Sequence, residues 1–143
     1  MPIIWRDAMS VDHGVIDDDH KVLVKKVNEF EALISGDFTQ KQLMKVLLDL
    51  KSYTESHFAR EEQMMDKVGF MGASEHRALH RCLIEELNDQ ARPFLTGEPS
   101  QEMMEVYAEG IAQFLRHWLV DHIIKQDLQM KPLFQASKRV VGA

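Results

Sequence analysis

A chain of 143 residues, 45% hydrophobic and 28% charged, is long enough to bury a sizeable core and is balanced like a globular protein. Its formal net charge of −6, with basic residues scattered among acids, excludes the basic stripe of a nucleic-acid binder. No apolar run approaches the roughly 20 residues that span a bilayer, and the single cysteine, Cys82, cannot form an internal disulfide. The first residues, Met-Pro-Ile-Ile-Trp-Arg-Asp, lack the basic region and apolar run of a signal peptide, so the expected location is cytoplasmic.

Residues 1 to about 16 hold Pro2 and Gly14 and no sustained helical period, which predicts an extended arm anchored by Trp5. Asp17, Asp18 and Asp19 then crowd the first turn of a helix, where carboxylates cap free N–H groups and suit the positive end of the dipole. Asp17 is read as such a cap. The stripe of this helix is Ile16, His20, Leu23, Val27, Phe30 and Ile34, and Ser35-Gly36-Asp37 ends it. A second helix is expected from Asp37 or Thr39, with Asp37 and Gln40 resembling a capping box. Its stripe is Leu43, Leu47, Leu50, His57, Glu61, Met64 and Val68, broken by Gly69-Phe-Met-Gly72. A third, from about Ser74 to near Pro93, places His76, His80, Leu83 and Leu87 on one face. After a turn-rich connector, a fourth begins near Pro99 or Ser100 and carries Met104, Tyr107, Ile111, Phe114, Trp118 and His122, with Pro132 expected to end or kink it. The predicted fold is all-α: one domain over residues 1–143, built as an antiparallel up-down-up-down four-helix bundle over about 17–131, with an extended N-terminal arm and a short C-terminal segment.

The polar residues fall on the wrong faces for a plain bundle. His20, His57, Glu61, His76, His80 and His122 all lie on apolar stripes, and burying them without partners costs on the order of several kcal/mol. His57 with Glu61, and His76 with His80, are each spaced four apart, which stacks both side chains on one helical face. In an up-down bundle all six stand at one end, and Asp127 follows His122 in the chain as a further candidate ligand. A metal centre satisfies them. Imidazole with carboxylate suits iron, zinc, copper or manganese, and so many ligands exceed the four of a closed zinc site, so two ions bridged by carboxylates use them better. The Glu-x-x-His pairs of ferritin-type di-iron bundles do not occur on these stripes.

The motif set Asp-x-x-His20, His57-Phe-x-x-Glu61, His76-x-x-x-His80 and Trp118-Leu-x-x-His122-x-x-x-x-Asp127 resembles the hemerythrin family, in particular its single-domain prokaryotic members, the bacteriohemerythrins. The resemblance runs from Trp5 to about Lys131. It implies a di-iron centre with a bridging oxo or hydroxo group. His76, His80 and His122 would bind one iron, His20 and His57 the other, and Glu61 and Asp127 would bridge them. Counted over two six-coordinate irons, this set leaves one position open, beside His20 and His57, and the family binds dioxygen there. The pocket-lining positions of the family fall on Leu23, Phe58, Trp118, Leu119 and Ile123, all apolar.

His122 and Asp127 are five apart, about 140° around a regular helix, so joint ligation predicts a π-type distortion between them. His13 and His117 match no family position and are expected not to ligate; Cys82 is expected to be partly buried. The functional expectation is a non-enzymatic dioxygen-binding protein for storage, transport or local delivery, with dioxygen as the partner and any protein recipient unidentified. The alternatives are a di-iron enzyme acting on peroxide, nitric oxide or ferrous iron, and a sensor of dioxygen or redox state.

Overall fold

The structure, a computed structural model, describes residues 2–134; most of the expected C-terminal segment lies outside the described residues. Four long helices carry the fold: α1 (Val15–Ile34), α2 (Gln40–Val68), α3 (Ala73–Leu95) and α4 (Gln101–His117). No strand occurs among the described residues, and none of their helices is long and apolar enough to cross a membrane. The all-α four-helix bundle read from the stripes is the fold observed.

Trp5 anchors the arm as expected, packing against the main core with the Lys21 ammonium over its ring, and Ile3 adds a second tie. The Ile3 N–H donates to the Asn28 side chain at 2.8 Å and the Asn28 amide returns a bond to the Ile3 carbonyl at 2.9 Å, while Trp5 stays half-buried. The start of α1 corrects the expected cap. Asp12, not Asp17, accepts from the first-turn N–H groups of Ile16 and Asp17, both at 3.1 Å. Asp17 faces the opposite way. It accepts from the Ser10 hydroxyl and from the N–H groups of Val11 and His13, at 2.5, 2.7 and 3.0 Å, and so knots the arm onto the helix.

At α2 the capping box joins Thr39 and Gln42 instead of Asp37 and Gln40. Gly69 ends the helix in the left-handed region, at φ 65° and ψ 42°, a conformation that costs an L side chain strain. Ser100 caps α4 by accepting from the Met103 N–H. Both prolines read as stops are passed over: Pro93 sits inside the last turn of α3, and residues 131–134 remain helical through Pro132. Proline lacks the N–H that returns to the residue four before it and crowds that carbonyl, and a tight 3₁₀ turn, Leu128–Met130, precedes Pro132. Beyond His117 the expected distortion is present but begins earlier, as a π-helical segment over Trp118–Ile124.

Helix α1 packs against α2 and α4, and α2 against α3. The opposite senses of α2 and α3 are pinned at both ends, since the Gln40 side chain donates to the Phe94 carbonyl at 2.9 Å and Glu61 meets His76. The core falls into two apolar clusters. The larger, with Leu23, Phe30, Leu50, Phe58, Leu87, Leu115, Trp118 and Ile124, fills most of the bundle; the smaller joins Val11, Ile16, Met65, Met130 and Phe134. His20 stands on α1 between Ile16 and Leu23, His57 and Glu61 on α2 between Leu50 and Met65, and Asp127 between Ile124 and Met130. Apolar layers therefore close the polar cluster above and below.

Candidate metal centre

Six side chains from different parts of the bundle converge. His20 projects from the second turn of α1, His57 and Glu61 from one face of α2, His76 and His80 from the first two turns of α3, and Asp127 follows the π segment. His20, His57 and Glu61 are fully buried, and the others expose 5% or less. Every imidazole offers Nε2. Asp127 Oδ2 lies 2.7 Å from His20 and 3.3 Å from His57, and its Oδ1 lies 2.9 Å from His76. Glu61 Oε1 lies 2.5 Å from His76 and 3.1 Å from His80, and its Oε2 lies 3.1 Å from His57. These atoms form two groups, His20–His57–Glu61–Asp127 and Glu61–His76–His80–Asp127, each with its ligand atoms within 4.8 Å of one another. Both groups contain the same two carboxylates.

The donor set fits cations on three grounds. Imidazole nitrogen mixed with carboxylate oxygen is the chemistry of borderline divalent metals. Ligand atoms about 2.1 Å from one ion and at right angles stand about 3 Å apart, which is the spacing found here. Buried Glu61 Oε2 has His57 Nε2 3.1 Å away but not in hydrogen-bonding geometry, and a buried carboxylate oxygen so poorly satisfied is costly unless a cation meets it. The electrostatics agree. Burial pushes the His57 imidazolium down, yet Asp127, Asp19 and Glu61 together hold its pKa well above the ordinary histidine value. Burial likewise opposes charge on His76, but Asp127 and Glu61 raise it to about 9. For Asp127, burial pushes up and the His20, His57 and His76 imidazoles overcome it, so its carboxyl sits well below the usual range. The cluster is built to hold positive charge.

The profile of the "Hemerythrin HHE cation binding domain" matches residues 12–134, which includes every residue of this cluster. The chain belongs to the hemerythrin family. Among its relatives, a bacteriohemerythrin of Pseudomonas aeruginosa is 27% identical over 125 residues, spanning 87% of this chain and 76% of that protein. A bacteriohemerythrin of Clostridium acetobutylicum is 24% identical over 127 residues, 87% and 95% of the two chains. A myohemerythrin of Riftia pachyptila is 27% identical over 130 residues, covering 91% and 92%.

Of the hemerythrin-pattern residues, His122 alone stands outside both groups. It is half-buried, its ring centroid is 4.9 Å from that of His117, and its buried Nδ1 has no partner. His117 itself bonds Asp121 at the surface, and His13 points largely into solvent. Cys82 is exposed, against expectation. Leu23, Phe58, Trp118, Leu119 and Ile123 are all buried. Phe58 stacks on His80 at 3.8 Å with the rings nearly parallel, and the Trp118 indole N–H donates to the Leu83 carbonyl at 3.0 Å. One residue of the site escaped the sequence reading. Asp19 Oδ2 lies 2.9 Å from His57 Nδ1, a contact no spacing rule picks out, although Asp19 directly precedes His20 in the chain.

Proposed function

We propose that this hemerythrin-family chain binds dioxygen reversibly at a pair of iron ions, for storage, transport or local delivery. His20 and His57 would hold one iron and His76, His80 and His122 the other, with Glu61 and Asp127 touching both. Ferrous iron, when bound, supplies the electrons and the open coordination position that dioxygen needs. The observation that carries the reading is the sharing of Glu61 and Asp127 by the two ligand groups, because only a two-ion centre uses both carboxylates on both sides.

The remaining residues act by exclusion and orientation. Leu23, Phe58, Trp118, Leu119 and Ile123, all buried in the main apolar core, would line the oxygen pocket and keep out the water and free protons that promote irreversible oxidation. The Trp118 N–H is already taken by Leu83, so that side chain presents only its apolar body. His122 is assigned as the third imidazole beside His76 and His80 from its place in the family pattern; it lies within the π segment, with its ring against that of His117 and outside both ligand groups.

The test is an oxygenation cycle. Iron-loaded protein is reduced anaerobically, exposed to air and then flushed with argon, while visible absorption is followed. A charge-transfer band that appears in air and disappears under argon over repeated cycles supports the proposal. Prompt conversion to the oxidised form, with turnover of added peroxide, nitric oxide or ferrous iron, overturns it in favour of an enzyme.

A further inference from the structure

Among the imidazoles of the cluster, His57 is the one with a carboxylate on its outer nitrogen. Asp19 Oδ2 lies 2.9 Å from His57 Nδ1, whereas Nδ1 of His20, His80 and His122 is buried without a partner. Asp19 is itself gripped. The Arg60 guanidinium donates through Nε to Oδ2 and through a terminal nitrogen to Oδ1, both at 2.9 Å, and the Tyr53 hydroxyl donates to Oδ1 at 2.9 Å. Arg60 also lies over the Tyr53 ring, 5.5 Å from its centroid. The Arg60 side chain is 41% exposed while that of Asp19 is 7% exposed. One continuous chain of charge-assisted contacts therefore runs from the surface to a single ligand.

We propose that Asp19, held by Arg60 and Tyr53, is a positioning residue that fixes the orientation and donor strength of His57, and so makes one half of the centre chemically distinct from the other. The proposal rests on the metal-centre reading above. A carboxylate on Nδ1–H locks the tautomer that leaves Nε2 as the ligand and increases the electron density there. Arg60 draws part of the Asp19 charge away from His57. The two residues thus act on His57 in opposite senses: without Asp19 its Nε2 is a weaker donor, and without Arg60 a stronger one.

Opposite signs give the test. Metal-free full-length protein is titrated with Co²⁺, and the midpoint potential of the iron-loaded protein is measured by spectroelectrochemistry, for wild type, Asp19→Asn, Arg60→Gln and Tyr53→Phe. Asp19→Asn is expected to weaken one of two Co²⁺ ions by about 10- to 100-fold, leave the other unchanged and shift the iron potential positive. Arg60→Gln is expected to shift it negative, with Tyr53→Phe moving less in the same direction. If Asp19→Asn fails to fold, Arg60→Gln and Tyr53→Phe decide, since both act from the solvent side. Equal weakening of both Co²⁺ ions, an unchanged potential, or shifts of the same sign in Asp19→Asn and Arg60→Gln overturn the proposal. A wild-type chain that takes up no Co²⁺ overturns the metal-centre reading, and this proposal with it.

Discussion

Asp17→Asn tests how the arm is held to the bundle. Asp17 is 3% exposed, and its two oxygens take the Val11 N–H on one side and the Ser10 hydroxyl with the His13 N–H on the other. An asparagine keeps one acceptor oxygen and turns an NH₂ toward the other donors, so at least one buried donor loses its partner. A buried unsatisfied donor costs about 1–3 kcal/mol, and hydrogen bonds to a charged group contribute about 1.5–3 kcal/mol, so the variant should lose about 2–4 kcal/mol at pH 7. The pH dependence follows from the carboxyl. Burial pushes the Asp17 pKa up, but the Ser10 hydroxyl and the N–H groups of Val11 and His13 outweigh it and hold it below its ordinary value. A carboxyl whose pKa is depressed on folding contributes its full stability above the unfolded value of about 3.9 and loses it as pH falls through the folded value. Urea unfolding of both proteins across pH should therefore show a constant gap from pH 8 to about 5 that narrows only below about 4. A gap under about 0.5 kcal/mol at pH 7, within the range of ordinary surface substitutions, or one that already closes between pH 7 and 5, refutes the reasoning.

Leu23→Ala removes a fully buried side chain beside His20 and should cost about 2–5 kcal/mol, read by thermal melting, while speeding oxidation of the loaded protein in air. Gly69→Ala places a Cβ at φ 65° and should cost about 1–2 kcal/mol in urea unfolding. Thr39→Ala removes the cap of α2 and should cost about 1 kcal/mol. It leaves iron content unchanged, because His57 lies about 27 Å further along that helix.

The helices and the convergence of their polar residues are legible because a period of 3.6 constrains every position along a stripe. His20, His57, Glu61, His76 and His80 on apolar faces have only one inward direction available. Helix ends are less legible. Asp12 and Asp17 both stand near the start of α1, and their roles differ only because Ser10 and Val11 fold back onto Asp17. Thr39 with Gln42 and Asp37 with Gln40 present equivalent patterns, and the turn after α1 selects the former. Pro93 and Pro132 read as stops, yet each lies where a helical run tolerates one missing N–H. Cys82, two residues beyond His80, stands about 200° around the helix from it, a consequence of the stripe that its small apolar character obscures. The spacing of His122 and Asp127 demands a distortion without saying where. The structure places the π segment at Trp118–Ile124 and leaves His122 beside His117, and neither detail is encoded in a spacing.

The proposed function requires two iron ions in one buried cluster, with Glu61 and Asp127 common to both halves. Metal analysis of protein purified without added metal tests it directly. The expected result is about two irons per chain, falling to about one in His57→Ala as the His20 side loses its ion. A wild-type ratio of one or less with iron in excess, another metal in place of iron, or an unchanged ratio in His57→Ala contradicts it.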